Sequence, residues 1–96
     1  MIVRYLSAAE EELEHAMTRY EAMEAGLGLR FYAEVKNTVD RILSYPEAWY
    51  QVSENARRCR TKVFPYGLIY QLRGEEILIV AVAELHRKPN YWKERI

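Results

Sequence analysis

Residues Ile77-Leu78-Ile79-Val80-Ala81-Val82-Ala83 form an unbroken aliphatic run, the longest in the chain. A run this dense in β-branched and aliphatic side chains reads as a buried strand. It is far short of the about 20 apolar residues that a spanning helix needs, so no membrane association is expected. The 96 residues suit one domain, residues 1–96, built around that strand. Half of them are hydrophobic and 29% are charged, as in an ordinary globular protein. Glutamates begin at Glu10 with no long apolar region before them, which is not a signal-peptide pattern. Cys59 is the only cysteine, so neither an internal disulfide nor a multi-cysteine metal site is expected. The expected location is cytoplasmic.

Element periods extend along the whole chain. Ile2 to Leu6 reads as a short strand. Ser7-Ala8-Ala9-Glu10 has capping-box spacing. Ala9, Leu13, Ala16, Met17, Tyr20 and Met23 recur at helical spacing, up to a stop near Gly26-Leu27-Gly28. A second helix carries Phe31, Val35, Val39, Ile42 and Leu43 on one face, and Pro46 ends it. So short a link makes the two helices an antiparallel hairpin. Residues 47–56 read as polar and irregular. Arg57 to Phe64 then alternates, with Cys59, Thr61 and Val63 on one face and Arg58, Arg60 and Lys62 on the other. Phe64-Pro65-Tyr66-Gly67 reads as a tight turn, Leu68 to Leu72 as a strand, Gly74-Glu75 as a two-residue hairpin loop, and Glu76 to Leu85 as another strand. The expected fold is α+β in the order β-α-α-β-β-β, a helical hairpin packed on one face of a twisted antiparallel sheet. Leu13, Met17, Val35, Val39, Ile42, Ile69, Ile79 and Ala81 are its expected core.

Net charge is zero, yet residues 1–50 hold nine acids and five bases, and residues 51–96 hold five acids and nine bases. Such asymmetry fits a half that faces an anion; it also fits helices that collect solvated glutamates. Arg58, Arg60 and Lys62, side by side on one strand face, repel one another unless something negative lies opposite. The alternative is a solvated outer sheet face. Just beyond the aliphatic strand come His86, Arg87, Lys88, Tyr91 and Trp92. His86 is a candidate general acid or base, or else a bystander on the surface. Tyr91 is a candidate for stacking or proton transfer, and Trp92 is assigned to packing. His15 and His86 have no matching acidic cluster, so no metal site is expected and no cofactor is implied. Cys59 reads as a small core residue.

The chain resembles the RelE/ParE superfamily of small toxins from bacterial type II toxin–antitoxin systems. The resemblance rests on the element order and on motifs spread over the chain. They are Ala9-Glu10-Glu11-Glu12-Leu13, Gly28 before Phe31-Tyr32-Ala33-Glu34-Val35, and Ile42 shortly before Pro46. Phe64-Pro65-Tyr66 leading into Ile69-Tyr70, the run from Ile77 to Val82, and His86-Arg87 with Pro89 and Trp92 complete the set.

The resemblance implies a growth-inhibiting toxin of a plasmid-stabilisation type of system, silenced in a hetero-oligomer by a cognate antitoxin. ParE-like members poison DNA gyrase. RelE-like members are metal-independent endoribonucleases that cut messenger RNA on the ribosome. In the second case His86, Arg87 and Tyr91 would be catalytic; in either case Arg58, Arg60, Lys62, Arg87 and Lys88 would bind target or phosphate. Nuclease members tend to carry an arginine where this chain has Gly67, and tend to be strongly basic where this chain is neutral. The resemblance therefore leans to gyrase inhibition. The alternatives are the ribosome-dependent nuclease and a degenerate member that only binds antitoxin.

Overall fold

A computed structural model describes residues 1–96. Strand β1 (Ile2–Tyr5) leads into helices α1 (Ser7–Met23) and α2 (Leu27–Ser44). Strands β2 (Tyr50–Ser53), β3 (Ala56–Arg60), β4 (Tyr66–Arg73) and β5 (Glu76–Glu84) follow, and a 3₁₀ turn spans Lys93–Arg95. The helical hairpin packs on one sheet face, as expected. The sheet has five strands in the order β1-β5-β4-β3-β2. It is mixed rather than antiparallel throughout, because β1 pairs parallel to β5. β2 falls in the stretch read as irregular; at four residues, on the sheet edge, it is too short to show a period.

Helix α1 begins without the capping box. The Leu6 N–H still donates to the Ile79 carbonyl at 3.0 Å, so the chain belongs to the sheet up to residue 6. Ser7 is already helical, and its side chain caps nothing. Met23, in the last turn, is 65% exposed rather than packed. The start of α2 is closed from α1 instead: the Glu21 carboxylate accepts the N–H groups of Gly26 and Gly28 at 2.9 and 3.0 Å. Gly28 is required there, since a Cβ would lie 2.6 Å from the Met17 carbonyl oxygen. Phe31, Val35, Thr38 and Ile42 form the buried face of α2.

Both sheet faces carry a cluster. Under the helices, Phe31, Val35 and Ile42 meet Leu68, Tyr70, Ile77 and Ile79. On the far face Ile69, Leu78, Val80, Ala81 and Ala83 pack with Trp92. Every residue from Ile77 to Ala83 is buried, as the aliphatic run demands. Among the expected core residues Leu13, Met17 and Val39 are half-buried at the rim, and the others are buried. A bulge opposite Ile69 and Tyr70 places Val80 and Ala81 on the same face.

Strand β3 stops at Arg60, short of the expected Phe64, and β4 starts at Tyr66. Residues 61–65 make the connection, which begins three residues before the turn read at 64–67 and ends two before it. Two bonds break the strand at this point. The Lys62 N–H donates to the Glu34 carboxylate, and the Thr61 hydroxyl donates to the Phe64 carbonyl at 2.9 Å. Val63, expected on the buried face with Cys59 and Thr61, is instead exposed with a φ of 73°.

Candidate functional site

Register places Arg58 opposite Ile69 and Arg60 opposite Gly67, on the sheet face away from the helices. Lys62 lies beyond the strand in the turn. The expected stripe of three cations is therefore two on the strand and one at its tip, because the Glu34 bond turns the chain at that point. Gly67 has a specific use. A Cβ at Gly67 would lie 3.0 Å from both Cγ and Cδ of Arg58, so its absence lets the arginine cross the strand. The Arg58 guanidinium stacks over Tyr50 at 5.1 Å, and its Nε–H is buried with no acceptor within the chain. Buried polar groups are normally satisfied, so this one calls for an explanation.

Arg58 lines a groove of about 130 Å³, together with Ile69, Arg87, Lys88, Tyr91 and Trp92. The fold thus joins a β3 cation to the group that follows β5, from two parts of the sequence. His86 is exposed and outside the groove lining. Arg60 and Lys62 are exposed beyond the groove.

One wall of the groove is held by a carboxylate that sequence reading treated as part of a solvated helix face. Glu12 of α1 accepts the Tyr91 hydroxyl at 2.6 Å and both Arg95 Nη groups at 2.9 and 3.0 Å. It also accepts the Val82 N–H at 3.0 Å. Arg95 donates to the Val80 carbonyl at 3.0 Å. These bonds satisfy the part of the β5 edge that β1 does not reach. Arg87 lies 3.7 Å from the same carboxylate, and its guanidinium sits 3.9 Å above the Tyr91 ring. Burial, reinforced by the bond to Glu12, pushes the Tyr91 phenol far above the ordinary tyrosine range. Its hydroxyl donates to Glu12, so Tyr91 anchors residues 85–96 to α1. Nothing local in the sequence marks Glu12, whose partners stand 70 to 83 positions away.

Other groups are structural. Arg57 donates to the Trp49 carbonyl at 2.8 Å, and the Tyr70 hydroxyl donates to the Pro46 carbonyl at 2.5 Å. Both bonds tie the β2 approach to the sheet. The Cys59 thiol is buried and pushed up by that burial, which suits a core residue. No three His, Cys, Asp or Glu side chains gather as a metal site would require.

Comparison with known proteins agrees with this architecture. In three dimensions the chain is similar to a protein described as the chromosomal ParDE TA system from P. aeruginosa. The TM-score is 0.65 at 15% identity, over 90% of this chain and 97% of that one. At that identity the likeness is one of fold. Among curated proteins, no sequence matches the chain. The sequence model described as ParE toxin of type II toxin-antitoxin system, parDE, matches residues 3–91, nearly the whole chain. The motif resemblance is thereby borne out, and the chain belongs to the ParE toxin family of type II toxin–antitoxin systems.

Proposed function

We propose that this toxin arrests growth by binding DNA gyrase through the cationic end of its sheet, without catalysing a reaction. The observation that carries this reading is the commitment of Tyr91 to Glu12. Arg58, Arg87 and Lys88 line the groove, but its tyrosine holds its proton and His86 stands outside it. A nuclease needs a positioned proton donor or acceptor; a binding surface needs only complementary charge and shape. Arg87 and Lys88 belong to the same surface, with Arg60 and Lys62 at its margin.

A cognate antitoxin holds the toxin in a hetero-oligomer. A segment of it that folds on binding would cover this face in the cytoplasm. The test is direct. Toxin purified away from antitoxin is added to gyrase and plasmid, and separately to a translating extract. Inhibited supercoiling with intact message is the expected result. Message cleaved within minutes, with supercoiling untouched, would move the chain to the ribosome-dependent nucleases.

A further inference from the structure

The tip of the β3–β4 hairpin is built at a cost that the isolated fold does not explain. The Phe64 N–H donates to the Lys62 carbonyl at 2.8 Å, closing a three-residue γ-turn centred on Val63. Val63 has a φ of 73°, the rare and strained form of that turn. A β-branched residue in this region is a genuine outlier, and glycine takes the same backbone shape without steric penalty. Burial gives nothing back, because Val63 is 97% exposed. A chain selected only to make this turn would be better served by glycine or asparagine.

The turn is also rigid. The Lys62 N–H is fixed to Glu34, and Glu34 accepts Arg41 at 3.0 Å. Burial pushes the Glu34 carboxyl up, but the bonds from Lys62, Arg41 and Thr38 outweigh it and hold the group below the usual carboxylate range. On the other side Phe64 packs edge-on against Tyr20 and Phe31, each at 5.1 Å between centroids. The tip is thus a fixed apolar knob. Lys62 beside it and Arg60 at the strand end are exposed. The Leu85 N–H donates to the Pro65 carbonyl at 2.9 Å, which ties the tip to the segment carrying Arg87 and Lys88.

We infer that Val63 is a docking knob which inserts into an apolar pocket, rimmed by carboxylates, on the folded protein that the toxin inhibits. A convex, rigid side chain needs a preformed hollow. A segment that is disordered until it binds covers grooves and edges and has no hollow of its own to offer. The flanking Lys62 and Arg60 set the charge of the pocket rim. This rests on the proposal above only in that the toxin acts through a protein target.

The experiment compares Val63→Gly and Val63→Ile with the natural chain. Thermal midpoint, affinity for the antitoxin, growth arrest on induction and inhibition of gyrase supercoiling are read for each. Val63→Gly should raise the midpoint by roughly 4 °C or more, as relief of strain predicts. It should keep antitoxin affinity and lose about tenfold or more in growth arrest and in supercoiling inhibition. Val63→Ile, still apolar, should inhibit within about threefold of the natural chain. Full potency of Val63→Gly would overturn the proposal. A lowered midpoint would remove the strain on which it stands. Lost antitoxin affinity with growth arrest intact would assign the knob to the antitoxin and overturn the assignment made here. If the natural chain leaves gyrase untouched while Val63→Gly still loses growth arrest, gyrase is the wrong target and the knob stands.

Discussion

The two faces of the sheet are closed by different means. Under the helices, closure is apolar and broad, with Phe31, Val35 and Ile42 fully buried against Tyr70, Ile77 and Ile79. On the far face it depends on one large aromatic, Trp92, and on one carboxylate, Glu12, that collects the groups of residues 85–96. The first kind of closure is non-directional and spread over many contacts. The second is directional and concentrated in a few bonds. The groove and its cations lie on the second face, as expected of a surface that must meet partners.

The largest effect should come from the helix-covered face. Phe31→Ala removes a fully buried ring that touches Tyr20, Phe64 and Tyr66, and should cost about 3–5 kcal/mol of global stability. Glu12→Gln should cost less, about 2–3 kcal/mol, and differently. It keeps the shape but weakens the charge-assisted bonds to Arg95 and Tyr91. Denaturant midpoints measure both costs, and amide exchange separates them. In Glu12→Gln the Val82 amide and residues 85–96 should lose protection while α2 keeps its own. Equal loss across both faces would mean that they form one cooperative unit, and the contrast would fail.

A tyrosine on each face sharpens the comparison. Burial pushes Tyr70, under the helices, up to about 12. Tyr91, on the far face, is pushed up by burial and then by Glu12. In the unfolded chain both titrate near about 10. The folded protein therefore keeps protons that the unfolded chain releases. This contribution to stability is whole below about pH 10 and is lost as pH rises through the folded values. Tyr70→Phe and Tyr91→Phe should each flatten the fall in stability above about pH 10, and each should cost about 1 kcal/mol at neutral pH for the lost hydroxyl bond. Tyr5 and Tyr66, also raised by burial, leave a residual slope. An unchanged alkaline slope in both variants would show that neither phenol is held as described.

Much of this was legible from period and punctuation. The aliphatic run placed β5, the spacing of Phe31, Val35 and Ile42 placed the buried face of α2, and Pro46 and Gly74 marked boundaries the structure keeps. The parallel pairing of β1 was not legible, because strand direction in a sheet is set by where the helical hairpin returns the chain. The early stop of β3 was hidden for a related reason. Arg57 to Phe64 alternates well, and the bond that fixes the break from outside the segment comes from Glu34, 28 positions from Lys62. For the candidate site, the sequence marked Arg58, Arg87, Lys88 and Tyr91 by residue type, but the role of Tyr91 depended on Glu12. Gly67 showed in the sequence only as a missing arginine; in the fold it is the space that Arg58 occupies.

The smallest expected effect is the most discriminating. His86 is exposed, lies outside the groove lining and follows the end of β5. His86→Ala should change stability by less than about 0.5 kcal/mol, the usual range for a surface substitution. If the far face is a binding surface, growth arrest should also stay within about threefold of the natural chain, since no pocket or ion pair depends on the imidazole. If the same face cuts RNA, His86 is the remaining candidate general acid or base, with the Tyr91 hydroxyl bonded to Glu12. Its removal would then cost about 10² to 10⁴ in rate with folding and antitoxin binding intact. Growth arrest titrated against inducer, read beside message integrity, measures the difference. A loss of that size would turn the contrast between the faces from scaffold against docking surface into scaffold against active site.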